Sequence, residues 1–315
     1  MQHISDATID ALITPADAQQ TLLQAWQDFG HARAAMQARV RTEAQGIKLS
    51  TLGAVIPDQQ VVGAKVYTTI QGQFSFVILL FSSETGQALA SFDAAAITRL
   101  RTAACSVLAA RRLAHVHPDM TLAVLGAGQQ GLSHLRQLRE AFPLREIRIF
   151  DPHLSAEQLA HLQQESEARQ VKLRACTAAE AVQDADVVVT ASRATAPLFD
   201  GTLLKPGAFV AAIGSSLPHT RELDDTALAR ARSIIVEWKP QSLQEAGDLR
   251  MAAPELRIEN KLGELAQVLT GELQPRQSPD DIIIYKSVGV GLQDVALAGL
   301  AWKKLQQGLQ RPAGH

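Results

Sequence analysis

Hydrophobic and polar positions change their rhythm along this chain, and each change predicts a different kind of element. Thr14-Pro15-Ala16-Asp17 reads as a helix start, with a capping side chain, proline at the first helical position and an acid in the first turn. The helix it opens is expected to run to about His31. Next come β-like runs, "ARVRTEA", "IKLSTLGAVI", "VVGAKVYTTI" and "FSFVILLFSS", and then "SSETGQALASF", a hairpin turn centred on Thr85-Gly86. Strands in succession without helices between them predict an antiparallel or mixed sheet. From Ala96 to Leu113 the pattern turns helical and rich in alanine.

After Pro118 short apolar strands and amphipathic helices alternate. "TLAVLG", "EIRIFD", "VKLRAC" and "DVVVTAS" read as strands, with "QQGLSHLRQLREAF", "SAEQLAHLQQESEAR" and "AAEAVQDA" as the helices between them. "AFVAAIGS" and "SIIVEW" follow. The last clear elements are "DIIIYKSVG" and a helix from about Leu292 to Gln307. Such alternation predicts the α/β class, a Rossmann-type doubly wound parallel sheet, accompanied by a second, β-rich domain. The simplest division places residues 118–287 as a nucleotide domain inserted between residues 1–117 and 288–315. No internal repeat or low-complexity linker interrupts this order.

Composition narrows the function classes. At 315 residues the chain can bury two cores. Thirty Lys and Arg against 32 Asp and Glu leave a net charge near −2, so no basic field gathers nucleic acid. The apolar runs, such as "FVILLF", are too short to span a bilayer. The opening "MQHISDATID" lacks the basic flank and apolar block of a signal peptide. Cys105 and Cys176 are far apart and have no CxxC partner, so they read as reduced core residues of an intracellular protein. A soluble, cytoplasmic protein is expected. His115 and His117 sit beside Pro118 without a third ligand at metal-site spacing, so no metal is expected. HExxH, GxSxG and Walker patterns are missing, which sets aside the commonest hydrolases and NTPases.

The stretch "TLAVLGAGQQGLSHL" carries chemistry. Gly126, Gly128 and Gly131 fall between a predicted strand and helix, in the spacing of a dinucleotide-binding turn. The first glycine allows the tight turn, the second lets backbone approach a pyrophosphate, and the third lets helix and strand pack closely. Asp151, ending the next predicted strand, is placed to bond the adenosine ribose hydroxyls and to repel a 2′-phosphate. That favours NAD, with NADP as the alternative cofactor. A glycine-rich turn without a ligand is the plain alternative.

Several segments together resemble one family. "FDAAAITRLRTAACSVLAARRLA" followed by "LGAGQQGLSHL" is similar to the ornithine cyclodeaminase/mu-crystallin family, as are "GAKVYTT", "LKPGAFVAAIGS", "RELD" and "IYKSVGVGLQDVALA". The resemblance spans most of the chain in order. It implies a dimeric NAD(P)-dependent enzyme of small amino or imino acids, with the β-rich domain binding substrate and pairing subunits. Its members include ornithine cyclodeaminases, alanine dehydrogenases and reductases of ketimines and Δ1-pyrroline-2-carboxylate. By position, Lys65 matches the family's active-site lysine and Arg101 its carboxylate-binding arginine. Arg39, or else Arg41 on the same predicted strand face, would be a second carboxylate clamp. Each could instead be an ordinary residue of its element. Arg101, however, lies among alanines, and Lys65 lies in an apolar strand where a charge is costly without a partner. On the same grounds Thr102, Gln129, Gln130, Thr190 and Ser192 join the three glycines and Asp151 as expected cofactor contacts.

One segment departs from the family. Where cyclodeaminases and related alanine dehydrogenases carry an aspartate in "GxDxPGKxEL", this chain reads "GSSLPHTRELD", with Ser216 at that position. A serine hydroxyl does not take up a proton as a carboxylate does, whereas reducing a C=N bond needs only a proton on nitrogen and hydride at carbon. His219 is either a proton donor or a plain loop histidine. The expectation is therefore an NAD(P)H-dependent reductase of a small cyclic imino acid, with Lys65, Arg101 and Ser216 at the reacting centre and Arg39, Lys65 and Arg101 on the substrate. The alternatives are an ornithine cyclodeaminase or amino-acid dehydrogenase, and a crystallin-like binder with little turnover.

Overall fold

The computed structural model describes residues 1–310; residues 311–315, the end of the expected C-terminal domain segment, lie outside the described residues. The chain forms two compact units, Met1–Cys105 with the chain from Gly289 onward, and Ser106–Val288.

The first unit is built on a seven-stranded sheet of β1 (Gln2–Ile4), β2 (Ala35–Met36), β3 (Val40–Ala44), β4 (Ile47–Ile56), β5 (Val61–Ile70), β6 (Gln73–Ser82) and β7 (Ala88–Asp93). The order is β1-β7-β6-β5-β4-β2, with β3 also paired to β4. All pairs are antiparallel except β1 with β7, so the sheet is mixed. The helix Pro15–Gly30 begins on a capping box, Thr14 Oγ1 accepting from Asp17 N while Asp17 accepts from Thr14 N. Its apolar stripe buries Leu22, Ala25 and Trp26. Strand alternation sends Leu52, Ile56, Ile78, Leu80 and Phe92 into the core, each such side chain worth about 1.5–3 kcal/mol. The terminal helix Gly291–Gln310 packs on that buried face against β4 and β5.

The second unit holds eight strands, all parallel: β8 (Met120–Leu125), β9 (Leu144–Phe150), β10 (Lys172–Ala175), β11 (Val187–Thr190), β12 (Phe209–Ala212), β13 (Ala231–Val236), β14 (Leu262–Glu264) and β15 (Ile282–Lys286). Their order is β10-β9-β8-β11-β12-β15-β13-β14. The central strands are buried throughout rather than at alternate positions, because helices cover both faces of such a sheet. The order reverses between β8 and β11, and ligands of open α/β sheets bind outside the strand ends at such a switch.

The strand expected over "ARVRTEA" is shorter. It starts at Val40, and Arg39 precedes it in irregular chain. Arg39 and Arg41 therefore do not share a strand face. His117 is tied to an acid, its Nε2 lying 2.7 Å from Asp186 Oδ1, and no metal-holding group of His, Cys, Asp or Glu occurs among the described residues. Both cysteines are free thiols, but only Cys105 is a core residue; Cys176, just past the short edge strand β10, is half-buried. No described helix is long and apolar enough to cross a membrane.

Candidate active site

In the first unit the buried positions of β5 run Val61, Gly63, Lys65, Tyr67, so strand alternation alone carries Lys65 into the core, 3% exposed. A buried ammonium demands partners. Lys65 Nζ donates to Thr98 Oγ1 at 2.5 Å, lies 3.4 Å from Asp294 Oδ1, and sits 4.7 Å from the centroid of the Phe76 ring. Phe76 stacks on Phe74 and leans on Tyr67, an aromatic shelf continuing the same face.

Arg101 comes from the alanine-rich helix Ala95–Leu113, whose small side chains leave room for a guanidinium. Its Nη1 donates to Gln293 Oε1 at 2.7 Å, and its Nε lies 3.5 Å from Asp294 Oδ1. Gly289, at φ +78°, lies flat against this guanidinium; a Cβ there would fall 2.7 Å from Nη2. Arg39 Nη2 donates to the Gly289 carbonyl at 2.9 Å. Arg41 sits instead on the exposed strand β3. With Lys65 charged, Lys65 and Arg101 share the Asp294 carboxylate and Arg39 adds a third cation near Lys65, and this local positive excess suits an anionic ligand. Burial pushes the Lys65 ammonium down to about 8; Asp294 opposes that shift and Arg101 adds to it.

In the second unit the glycine turn lies at the switch between β8 and β11. Gly126 takes φ +109°, and a Cβ there would run into the Ala191 carbonyl; one on Gly131 would collide with the Gly126 carbonyl. Gly128 differs, since a Cβ there would meet nothing within 4 Å. It caps the helix Gln129–Ala141 with no side-chain hydrogen bond, so the helix N-terminus faces open space. This is the arrangement a pyrophosphate needs, with donor N–H groups and the positive end of the helix dipole at hand. The residues therefore fit a dinucleotide. Gln129 is exposed and Gln130 half-buried in the first turn. Asp151 follows β9 and shapes the turn, its Oδ2 accepting from Ala127 N at 2.6 Å and its Oδ1 from His153 N at 2.8 Å.

Thr190 and Ser192, at the end of β11, turn their hydroxyls to Glu222. Thr190 Oγ1 donates at 2.8 Å to Glu222 Oε2, and Ser192 N and Oγ each donate at 2.7 Å to Oε1. Gly214 N and Ser215 N, beyond β12, complete the set at 2.7 and 3.2 Å. Asp248 in turn accepts from Glu222 N and Leu223 N and lies 2.8 Å from Lys286 Nζ of β15. Thr102 Oγ1 donates to Thr98 O at 2.6 Å within its own helix. Ser216 is half-buried and His219 exposed, both in the loop that leaves β12.

Neither Asp294 nor Glu222 figured among the expected site residues. The signals existed, since both fall inside the motifs "GLQDVALA" and "RELD". An acid between apolar residues in a run predicted to be helical, like Asp294, is a candidate buried partner for a buried lysine.

A doubly wound sheet with an open glycine turn at its switch point, joined in one chain to a unit holding a buried cationic cluster, defines an α/β protein of the dinucleotide-binding type. The chain belongs to the ornithine cyclodeaminase/mu-crystallin family, whose pattern matches residues 7–308. A Δ1-pyrroline-2-carboxylate reductase of Bacillus cereus is 31% identical over 265 residues, covering 83% of this chain and 78% of that one. A crystal structure described as a probable ornithine cyclodeaminase, from Bordetella pertussis Tohama I, superposes with a TM-score of 0.94 at 55% identity, each chain covered in full. The iminosuccinate reductase of Paracoccus denitrificans, in complex with NAD+, superposes with a TM-score of 0.88 at 26% identity, covering 98% of this chain and 97% of that one.

Proposed function

We propose that this chain is an NAD(P)H-dependent reductase of a small cyclic imino acid, Δ1-pyrroline-2-carboxylate or a related ketimine. The cluster of Lys65 and Arg101 on Asp294, with Arg39 near Lys65, carries the reading, because it offers a carboxylate two guanidinium groups and offers an imine nitrogen an ammonium proton. The reductase activity of the Bacillus cereus relative supports it.

A reduced nicotinamide, when bound, supplies hydride. The turn Gly126–Gly131 would hold its pyrophosphate and Asp151 the adenosine ribose, where a carboxylate disfavours a 2′-phosphate and so favours NAD over NADP. On the substrate side, Arg101 and Arg39 grip the carboxylate and fix the neighbouring C=N carbon. Lys65 holds the proton destined for nitrogen. Phe76 and Phe74 give an uncharged ring an apolar wall. Ser216 contributes a hydrogen bond only.

The probable cyclodeaminase from Bordetella pertussis favours a second reading, cyclisation of ornithine with loss of ammonia. Ser216, in place of a carboxylate, argues against it. Oxidation of NADH and NADPH, followed with five- and six-membered cyclic imino acids and in parallel with ammonia release from ornithine, separates the two. We expect imine-dependent oxidation, faster with NADH, and negligible ammonia. Robust conversion of ornithine to proline sinks the proposal, and tight imine binding without oxidation points to the crystallin-like storage role.

The outer face of the first sheet presents Val62, Ala64 and Val66 beside Phe81, Leu79 and Val77, half-exposed and in register. We assign this face to a second copy of the chain, since a self-complementary apolar patch is the usual basis of a twofold dimer. In sedimentation, the wild type is expected at twice the 33.9 kDa chain mass and Leu79→Glu at the monomer mass. A wild type that sediments as a monomer overturns the assignment.

A further inference from the structure

We propose that Asp294 is the positioning residue that keeps Lys65 in its ammonium form, so that Lys65 has a proton to give; this rests on the imine-reductase reading of the same cluster. Asp294 is fully buried in the first turn of the helix Gly291–Gln310, where the helix dipole favours a negative charge. Its Oδ1 lies within 3.5 Å of both Lys65 Nζ and Arg101 Nε, while its Oδ2 has no hydrogen-bond partner among the described residues. The two neighbouring cations offset the cost of burying Asp294 this deeply.

Strand β4 sets the apolar Leu52 opposite Lys65 and adds no charge there. The helix Ala95–Leu113 brings Thr98 Oγ1, a neutral acceptor, and Arg101, a cation. The chain before β3 brings Arg39, another cation. Strand β6 brings the Phe76 ring face, a weak attraction. The terminal helix brings Asp294, whose carboxylate stands against two guanidinium groups and the loss of solvent, all of which favour the neutral amine. Asp294 is therefore the group whose removal strips the proton.

The Lys65 Nζ–H bond breaks as an N–H bond forms on the imine nitrogen, and hydride from the reduced dinucleotide completes the C–H bond at carbon. Lys65, left neutral, regains its proton from water, a return that the nearby Asp294 favours.

Asp294→Asn tests this. In the wild type, turnover is expected to fall as pH rises through about 8, the region in which Lys65 loses its proton. In Asp294→Asn that fall should move down by on the order of one pH unit. At neutral pH kcat should drop while KM for the imino acid stays level or falls, because removing a negative charge leaves the carboxylate site more positive. Asp294→Glu should restore the wild-type profile, whereas a merely structural role would lower kcat at every pH without moving the limb. Asp294→Ser serves if the asparagine variant does not fold. The pH dependence of Lys65 acylation by an amine-selective reagent, read by mass spectrometry, gives a measure free of turnover. The variant's Lys65 should react several-fold faster near pH 7. An unmoved limb together with unchanged acylation overturns the proposal. If no imine is reduced by the wild type, the functional reading fails and acylation alone decides the role of Asp294.

Discussion

Arg101→Lys is expected to lower kcat/KM for the imino-acid substrate by roughly a hundredfold, about 3 kcal/mol, with most of the change in KM. Lysine keeps the charge but loses the planar fork that binds both carboxylate oxygens at once. It also cannot reproduce the pair of contacts Arg101 makes, to Gln293 through Nη1 and to Asp294 through Nε. Affinity for NADH should be unchanged, because the glycine turn and Asp151 are untouched. Steady-state kinetics with each substrate varied in turn provides the check. A KM that stays within twofold of wild type would remove Arg101 from the carboxylate site.

Glu222→Ala is expected to be the most damaging single change to the fold of the second unit, costing about 3–5 kcal/mol. Thr190 Oγ1, Ser192 N, Ser192 Oγ, Gly214 N and Ser215 N all donate to this carboxylate. Truncation leaves those buried and half-buried donors without that acceptor. Glu222→Gln should also destabilise, since the amide NH2 would turn a donor toward donors. In thermal unfolding the alanine variant should melt on the order of 10 °C below wild type. A fall of less than about 2 °C would show that the loops do not depend on the carboxylate.

The sequence made some of this legible for clear physical reasons. The parallel sheet was readable because its strands and helices alternate in long periodic stretches, and the glycine turn because backbone geometry dictates its residues. Lys65 and Arg101 stood out as charges set in apolar or alanine-rich surroundings. Their common partner did not, because Asp294 lies 229 residues beyond Lys65 and only the folded sheet and terminal helix bring them together. Glu222 was hidden for another reason: in "HTREL" it reads as one more charge on a polar loop, yet it is fully buried. Arg39 and Arg41 were indistinguishable while both were assigned to one strand. The break before Val40 separates them, turning Arg39 toward Gly289 and leaving Arg41 on the surface. The two-residue β2 and three-residue β1 are too short to show any periodicity.

The Glu222–Asp248–Lys286 chain of contacts makes the tips of β11, β12 and β15 a single clamped base. Ser216 to His219 then form a small arch with both footings pinned, by Ser215 on one side and by Thr220 and Glu222 on the other. Residues at its crest can be exchanged without disturbing what they stand on. A change of side chain at the crest therefore leaves the masonry beneath in shape.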